Sequence, residues 1–136
     1  MTSIGAWYVD ASAAAKLVGG EEHHEAMRAW TREHEDSLVS CDLLRTELLR
    51  AIRRRDPSAA PAVAALLESF ELTPLPRSLF DAAGSLEPVT LRTPDALHLA
   101  AALALGDDLA GIVTYDLRLA DAARHRSVRV VSPGAA

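Results

Sequence analysis

Apolar and polar positions follow two rhythms along the chain. Short runs rich in β-branched and aromatic residues recur at 6–9, 37–40, 70–75, 111–115 and 127–133, the lengths of strands. Between them the apolar residues fall three and four apart. That spacing predicts helices over 11–18, 21–35, 42–55, 58–69, 77–86, 93–105 and 117–125. Within 42–55, Leu44, Leu48, Ala51 and Ile52 form one face. The stretch 93–105 is apolar nearly all round, as a buried helix would be. Turn-forming residues separate the elements, at "GGEE", "DPSAAP", "TPLPRS", "LEPVTLRTP" and "LGDD". Strands alternating with helices predict an α/β fold, a parallel sheet with helices on both faces.

Length and composition narrow the picture. With 136 residues, no solenoid repeat and no linker, a single domain over 1–136 is expected. No run approaches the ~18 apolar residues of a membrane span. The opening "MTSIGAWYVD" lacks a basic start and carries an acid at position 10, unlike a signal peptide. The single Cys41 can form no internal disulfide, which fits a reducing cytoplasm, and it reads as a small buried side chain. A net charge of −5 argues against a general nucleic-acid binder. Thirteen of the fourteen cations are Arg and only Lys16 is Lys. Guanidinium forks suit phosphate and carboxylate, although a GC-rich genome produces the same bias.

The candidate chemistry lies in four acids. Strand 6–9 stops at Asp10, and strand 111–115 runs into Asp116. Ligands of open parallel sheets bind at the carboxyl ends of strands, where strand order reverses. Each Asp reads equally as the N-cap of the helix after it. Glu47 lies at the edge of the Leu44 face, where it either rotates to solvent or pairs with Arg50 or Arg54, or faces the core bound to a cation. Asp95 follows Thr93, read as an N-cap, and Pro94, read as the first helical position. It either complements the helix dipole or aims into a cleft. Taken together, four hard oxygen ligands near one sheet edge point to Mg²⁺ or Mn²⁺, while no Cys/His set has zinc spacing.

The stretches "YVDASAAAKL", "SCDLLRTELLRAI", "LRTPDALHLAAAL" and "IVTYDLRLADAA" resemble, in order and spacing, the four acidic motifs of the PIN domain. The phrasing of the last two resembles the VapC toxins of bacterial toxin–antitoxin pairs, and the resemblance covers essentially the whole chain. It implies a three-layer PIN-like fold with strand order 3-2-1-4-5, in which strands 1 and 4 are neighbours. It also implies a metal-dependent endoribonuclease, usually a homodimer, acting on transfer or ribosomal RNA, leaving 5′-phosphate and 3′-hydroxyl ends and silenced by a VapB-type antitoxin. Asp10, Glu47, Asp95 and Asp116 take the family's catalytic, metal-site positions, and Ser12 and Thr114 its polar supporting positions. Asp121, five residues past Asp116, is a candidate fifth acid or a solvated one.

Metal-assisted hydrolysis needs no protein nucleophile, and no convincing Ser-His-Asp or Cys-His grouping is present. Arg118 is the leading candidate for holding an RNA backbone, with Arg45, Arg50 and Arg92 behind it. His23 and His24 read as exposed. His98 reads either as a partner of Asp95 or as a satisfied interior histidine. Ala26, Met27 and Trp30 form either an apolar wall for an antitoxin tail or ordinary packing. A phosphorylation receiver is disfavoured, because strand 1 ends in a single acid, strand 3 ends "LTPLPRS" and no Lys follows strand 5. A binding-only PIN fold, or a PIN nuclease without an antitoxin, is the remaining rival.

Overall fold

The computed structural model describes residues 5–135. The reading of the N-terminus rests partly on residues 1–4, which lie outside them. Five strands form one parallel sheet in the order β3-β2-β1-β4-β5. They are β1 (Ala6–Val9), β2 (Leu38–Cys41), β3 (Glu71–Thr73), β4 (Leu109–Val113) and β5 (Val130–Val131). The described residues form seven α-helices, α1 (Ala11–Ala15), α2 (His24–Glu33), α3 (Leu43–Arg53), α4 (Ala60–Glu68), α5 (Arg77–Gly84), α6 (Thr93–Leu103) and α7 (Leu117–His125). The expected strand order is the observed one. Hydrogen bonding trims β3 and β5 to the residues that face a neighbour, and β4 begins two residues before its expected start.

Side-chain alternation along the strands builds a core on each face. Tyr8, Val39 and Ile112 point to one side, where Leu79 of α5, Leu97 and Leu99 of α6 and Leu119 of α7 cover them. Their neighbours Val9, Leu38 and Val113 point to the other, against Ala13 of α1, Met27 of α2, Leu44, Leu48 and Ile52 of α3, and Val63 of α4. The α6 residues from Asp95 to Ala102 are all buried, as the all-round apolar pattern requires. Gly111 lets the sheet close beside β5. A Cβ there would stand 2.6 Å from the Trp7 ring and 2.8 Å from the Arg129 carbonyl oxygen.

β1 is the switch point of the sheet, since the chain goes to β2 on one side and β4 on the other. Its register with β4 pairs Val9 with Val113. The residues that follow, Asp10 and Thr114, therefore emerge side by side at the carboxyl edge.

Candidate active site

Asp10 is fixed from three directions. Its Oδ1 accepts the Ala13 amide (2.9 Å) and the Ser12 hydroxyl (2.8 Å), and its Oδ2 accepts the Thr114 hydroxyl (2.5 Å). The amides of Tyr115 and Asp116 donate in turn to the oxygens of Ser12 (2.9 Å) and Thr114 (3.0 Å). Each hydroxyl has one proton, and both protons go to Asp10. The 3.3 Å approach of the two hydroxyl oxygens is therefore spacing rather than a further bond. Asp10 is only 3% exposed. Burial raises its pKa, and the bonds from Thr114, Ala13 and Ser12 hold the rise in check.

Asp116 caps α7, its Oδ1 accepting the amides of Arg118 (2.9 Å) and Leu119 (3.2 Å). Its Oδ2 lies 3.6 Å from Nη2 of Arg92, whose Nε donates to Oδ2 of Asp95 at 3.3 Å. One guanidinium thus spans two acids from different helix starts. Burial raises the Asp95 pKa first and the charge of Asp116 raises it further, while Arg92 opposes both. Thr93 does not cap α6. It is the first helical residue, and Arg92 holds the cap position without a side-chain bond. The chain is extended at Arg92 (φ −65°, ψ 151°), so the helix begins one residue earlier than expected.

Glu47 departs from the expected pairing. It bonds neither Arg50 nor Arg54; its Oε1 meets Nε2 of His98 at 2.5 Å. Nδ1 of His98 meets the Tyr8 hydroxyl at 2.7 Å, with Cys41 Sγ 3.9 Å away. His98 is therefore not a partner of Asp95 but a buried post for Glu47. Burial alone would lower its pKa; Cys41 and Glu47 outweigh that and push it up to about 10. The imidazolium then donates from Nε2 to Glu47 and from Nδ1 to the Tyr8 oxygen. Burial lifts the Tyr8 phenol well above its ordinary value, so it stays neutral. Cys41 is buried, as expected.

The other candidates scatter. Arg118 is exposed and lines a cleft of about 450 Å³ with Leu91, Asp121 and His125. Asp121 stands apart from the acids and pairs with Arg124 at 3.7 Å. Arg45 pairs with Asp42 at 3.2 Å, and Arg50 lies with Arg53 and Arg54 on the α3 surface. His23 and His24 are half-buried rather than exposed. His23 stacks on Tyr115 at 5.4 Å, and His24 Nδ1 meets the Lys16 carbonyl oxygen. Met27 is consumed by the core, and Trp30 packs on Trp7 and His34, so packing takes most of the α2 face. The pairing of Glu47 with His98, 51 residues apart, left no mark in the sequence. The Arg92–Asp95 pair did, as a three-residue spacing at a helix start.

The sequence model of the PIN domain matches residues 7–125, from β1 through α7. The chain belongs to the PIN domain family. Over 130 residues it is 38% identical to "Ribonuclease VapC46" of Mycobacterium tuberculosis strain H37Rv, covering 96% of this chain and 99% of that one. It is 35% identical to "Ribonuclease VapC47" of strain CDC 1551 over 133 residues, covering 94% and 97%. Its PIN fold superposes on the crystal structure of M. tuberculosis VapC20, described as a sarcin-ricin loop cleaving toxin, with a TM-score of 0.75 at 18% identity, over 86% of this chain and 95% of that one.

A PIN nuclease implies a divalent cation, and the donor set of this PIN domain fits one. Its site atoms are carboxylate oxygens, the ligands of hard cations. The mutual repulsion of Asp95 and Asp116 has already drawn one cationic side chain to both. Among the described residues, no three His, Cys, Asp or Glu side chains stand close enough together to hold an ion as placed. No described helix is long and apolar enough to cross a membrane.

Proposed function

We propose that the chain is a metal-dependent endoribonuclease, the toxin of a VapB–VapC-type pair, which cleaves transfer or ribosomal RNA and so inhibits translation. The observation that carries this reading is the position of Asp10 and Asp116 after neighbouring strands at the switch point of a PIN sheet, with one guanidinium, that of Arg92, spanning Asp116 and Asp95. Relatives named as ribonucleases over nearly the full length support it. The whole chain, 1–136, acts as one domain in the cytoplasm.

Asp10, Asp95, Asp116 and Glu47 would hold Mg²⁺ or Mn²⁺. Such an ion, when bound, lowers the pKa of water and stabilises charge on the phosphate. Asp10 supplies a carboxylate whose direction is set by Ser12, Thr114 and the α1 backbone. Asp116 keeps one oxygen on the α7 amides and turns the other to the site. His98 keeps Glu47 aimed. Arg118, at the mouth of the neighbouring cleft, supplies a guanidinium for the RNA backbone. Exposed Phe80 and Val89 support a homodimer, in which a second copy covers them. A VapB-type antitoxin would block the groove above the acids.

The test is cleavage of total RNA by purified protein with Mg²⁺, with Mn²⁺ and with excess chelator. Cleavage only with metal, suppressed by the product of a neighbouring antitoxin reading frame, is expected. Full cleavage in chelator defeats the metal role. No cleavage of RNA under any condition returns the binding-only reading, and cleavage of DNA alone returns the nuclease without an antitoxin.

A further inference from the structure

We propose that Arg92 is a tethered counter-cation of the acid site and competes with a divalent metal ion for Asp95 and Asp116. The inference rests on the reading of these acids as metal ligands and adds a residue that regulates their loading.

Three observations carry it. First, Arg92 approaches the Oδ2 atoms of both acids, at 3.3 Å and 3.6 Å. At Asp116 this is the oxygen left over by the cap, since Oδ1 is committed to the α7 amides. Second, the Arg92 side chain is 64% exposed while that of Asp95 is 10% exposed. One end of the pair is anchored in the protein and the other is free to swing into solvent at little packing cost. Third, Arg92 caps α6 through its backbone alone, with φ −65° and ψ 151° and no side-chain cap bond. Moving or replacing its side chain leaves the helix start intact.

Charge decides the competition. One guanidinium offsets one of two facing carboxylates. A divalent ion offsets both and repels the guanidinium from the same oxygens. Metal binding therefore includes the cost of breaking the Arg92 contacts, and apparent affinity is weaker than the acids alone would give. Linkage makes the effect reciprocal: anything that draws Arg92 outward, such as an RNA phosphate at the rim, strengthens metal binding. The fork of Arg92 suits such a phosphate once it has left the carboxylates.

The test compares wild type, Arg92→Gln and Arg92→Lys by calorimetric titration with Mn²⁺, and by thermal denaturation in chelator. Arg92→Gln should bind Mn²⁺ roughly fivefold tighter, the worth of a partly exposed ion pair. In chelator it should melt about 2–4 °C lower, having lost the only basic side chain placed on both acids among the described residues. Arg92→Lys, with charge but no fork, should fall between. Equal or weaker Mn²⁺ binding by Arg92→Gln, in a wild type that does bind, overturns the proposal and leaves the metal reading standing. So does an unchanged melting temperature, or an Arg92→Lys variant indistinguishable from Arg92→Gln. Absence of Mn²⁺ binding in all three proteins defeats the metal reading itself, and the competition with it.

Discussion

Asp10 and Asp116 follow neighbouring parallel strands, Asp10 directly and Asp116 after two further residues, and each uses one carboxylate oxygen to cap the next helix. By local sequence they are nearly interchangeable. Their surroundings are not. Both oxygens of Asp10 are bonded within the protein, under full burial. The second oxygen of Asp116 meets only the exposed guanidinium of Arg92, and its side chain is 23% exposed. A helix-capping acid can thus be a rigid fixture at one strand end and an adjustable one at the next. The difference lies in the neighbour: Thr114 reaches Asp10 from β4, whereas Asp116 lies next to the more exposed start of α6. At Asp116 the capping and functional readings are compatible, because one oxygen caps α7 while the other faces Arg92.

The largest effect should fall on catalysis, where the two ends act alike. Asp10→Asn and Asp116→Asn should each reduce RNA cleavage more than ~100-fold, beyond what loss of a supporting partner costs. An Asp116→Asn enzyme of near wild-type activity would show that only the rigid end belongs to the site.

Stability should separate the ends. Thr114→Val removes a donor to a buried carboxylate and should cost about 1.5–3 kcal/mol in chemical denaturation. Arg92→Gln, the corresponding loss at the exposed end, should cost less than about 1 kcal/mol. Equal costs would erase the distinction between fixture and adjustable ligand.

A third acid, Glu47 on α3, extends the comparison through pH. The folded pKa of His98, about 10, lies above its unbound value of 6.5. A raised pKa means that the folded state binds the proton more tightly than the unfolded one. The contribution of the pair is therefore complete below about pH 6.5 and is lost as pH rises through about 10. Wild type should lose stability across this window relative to His98→Gln. Parallel curves would show that His98 is neutral, and that Glu47 is held no more firmly than Asp116.

The smallest effect is the most pointed. Burial raises the Asp10 pKa, so its contribution is present below 3.8, the unshifted value, and is lost as pH rises through the folded pKa. Asn never ionises and escapes that loss. At neutral pH in chelator, Asp10→Asn should be as stable as wild type or up to about 1 kcal/mol more stable, and Asp116→Asn should be unchanged. A clearly destabilised Asp10→Asn would mean that its bonds outweigh its burial.

Much of this was legible in the chain. The two rhythms of apolar residues marked the strands and helices, because burial on a sheet repeats every two residues and on a helix every 3.6. Element ends were blurred where pairing with a neighbour, and not local propensity, terminates a strand, as at β3 and β5. The four acids, their order and the supporting Ser12 and Thr114 were visible as motifs, since each sits at a fixed offset from a strand or helix end. The family followed from them.

What the sequence could not decide is which side chains meet across it. Glu47 and His98 belong to helices 51 residues apart and face each other only because α3 and α6 approach the sheet edge from opposite layers. Arg92 reads locally as one more surface cation, and its position over Asp116 exists only once α6 and α7 start side by side. His23 and His24 read as exposed from their helix alone and become half-buried when Tyr115 and Lys16 close over them. Local sequence determines element type and the offset of each acid, because both depend on near neighbours. Charge balance, protonation and the freedom of each carboxylate depend on burial and on distant partners, and only the assembled tertiary structure sets those.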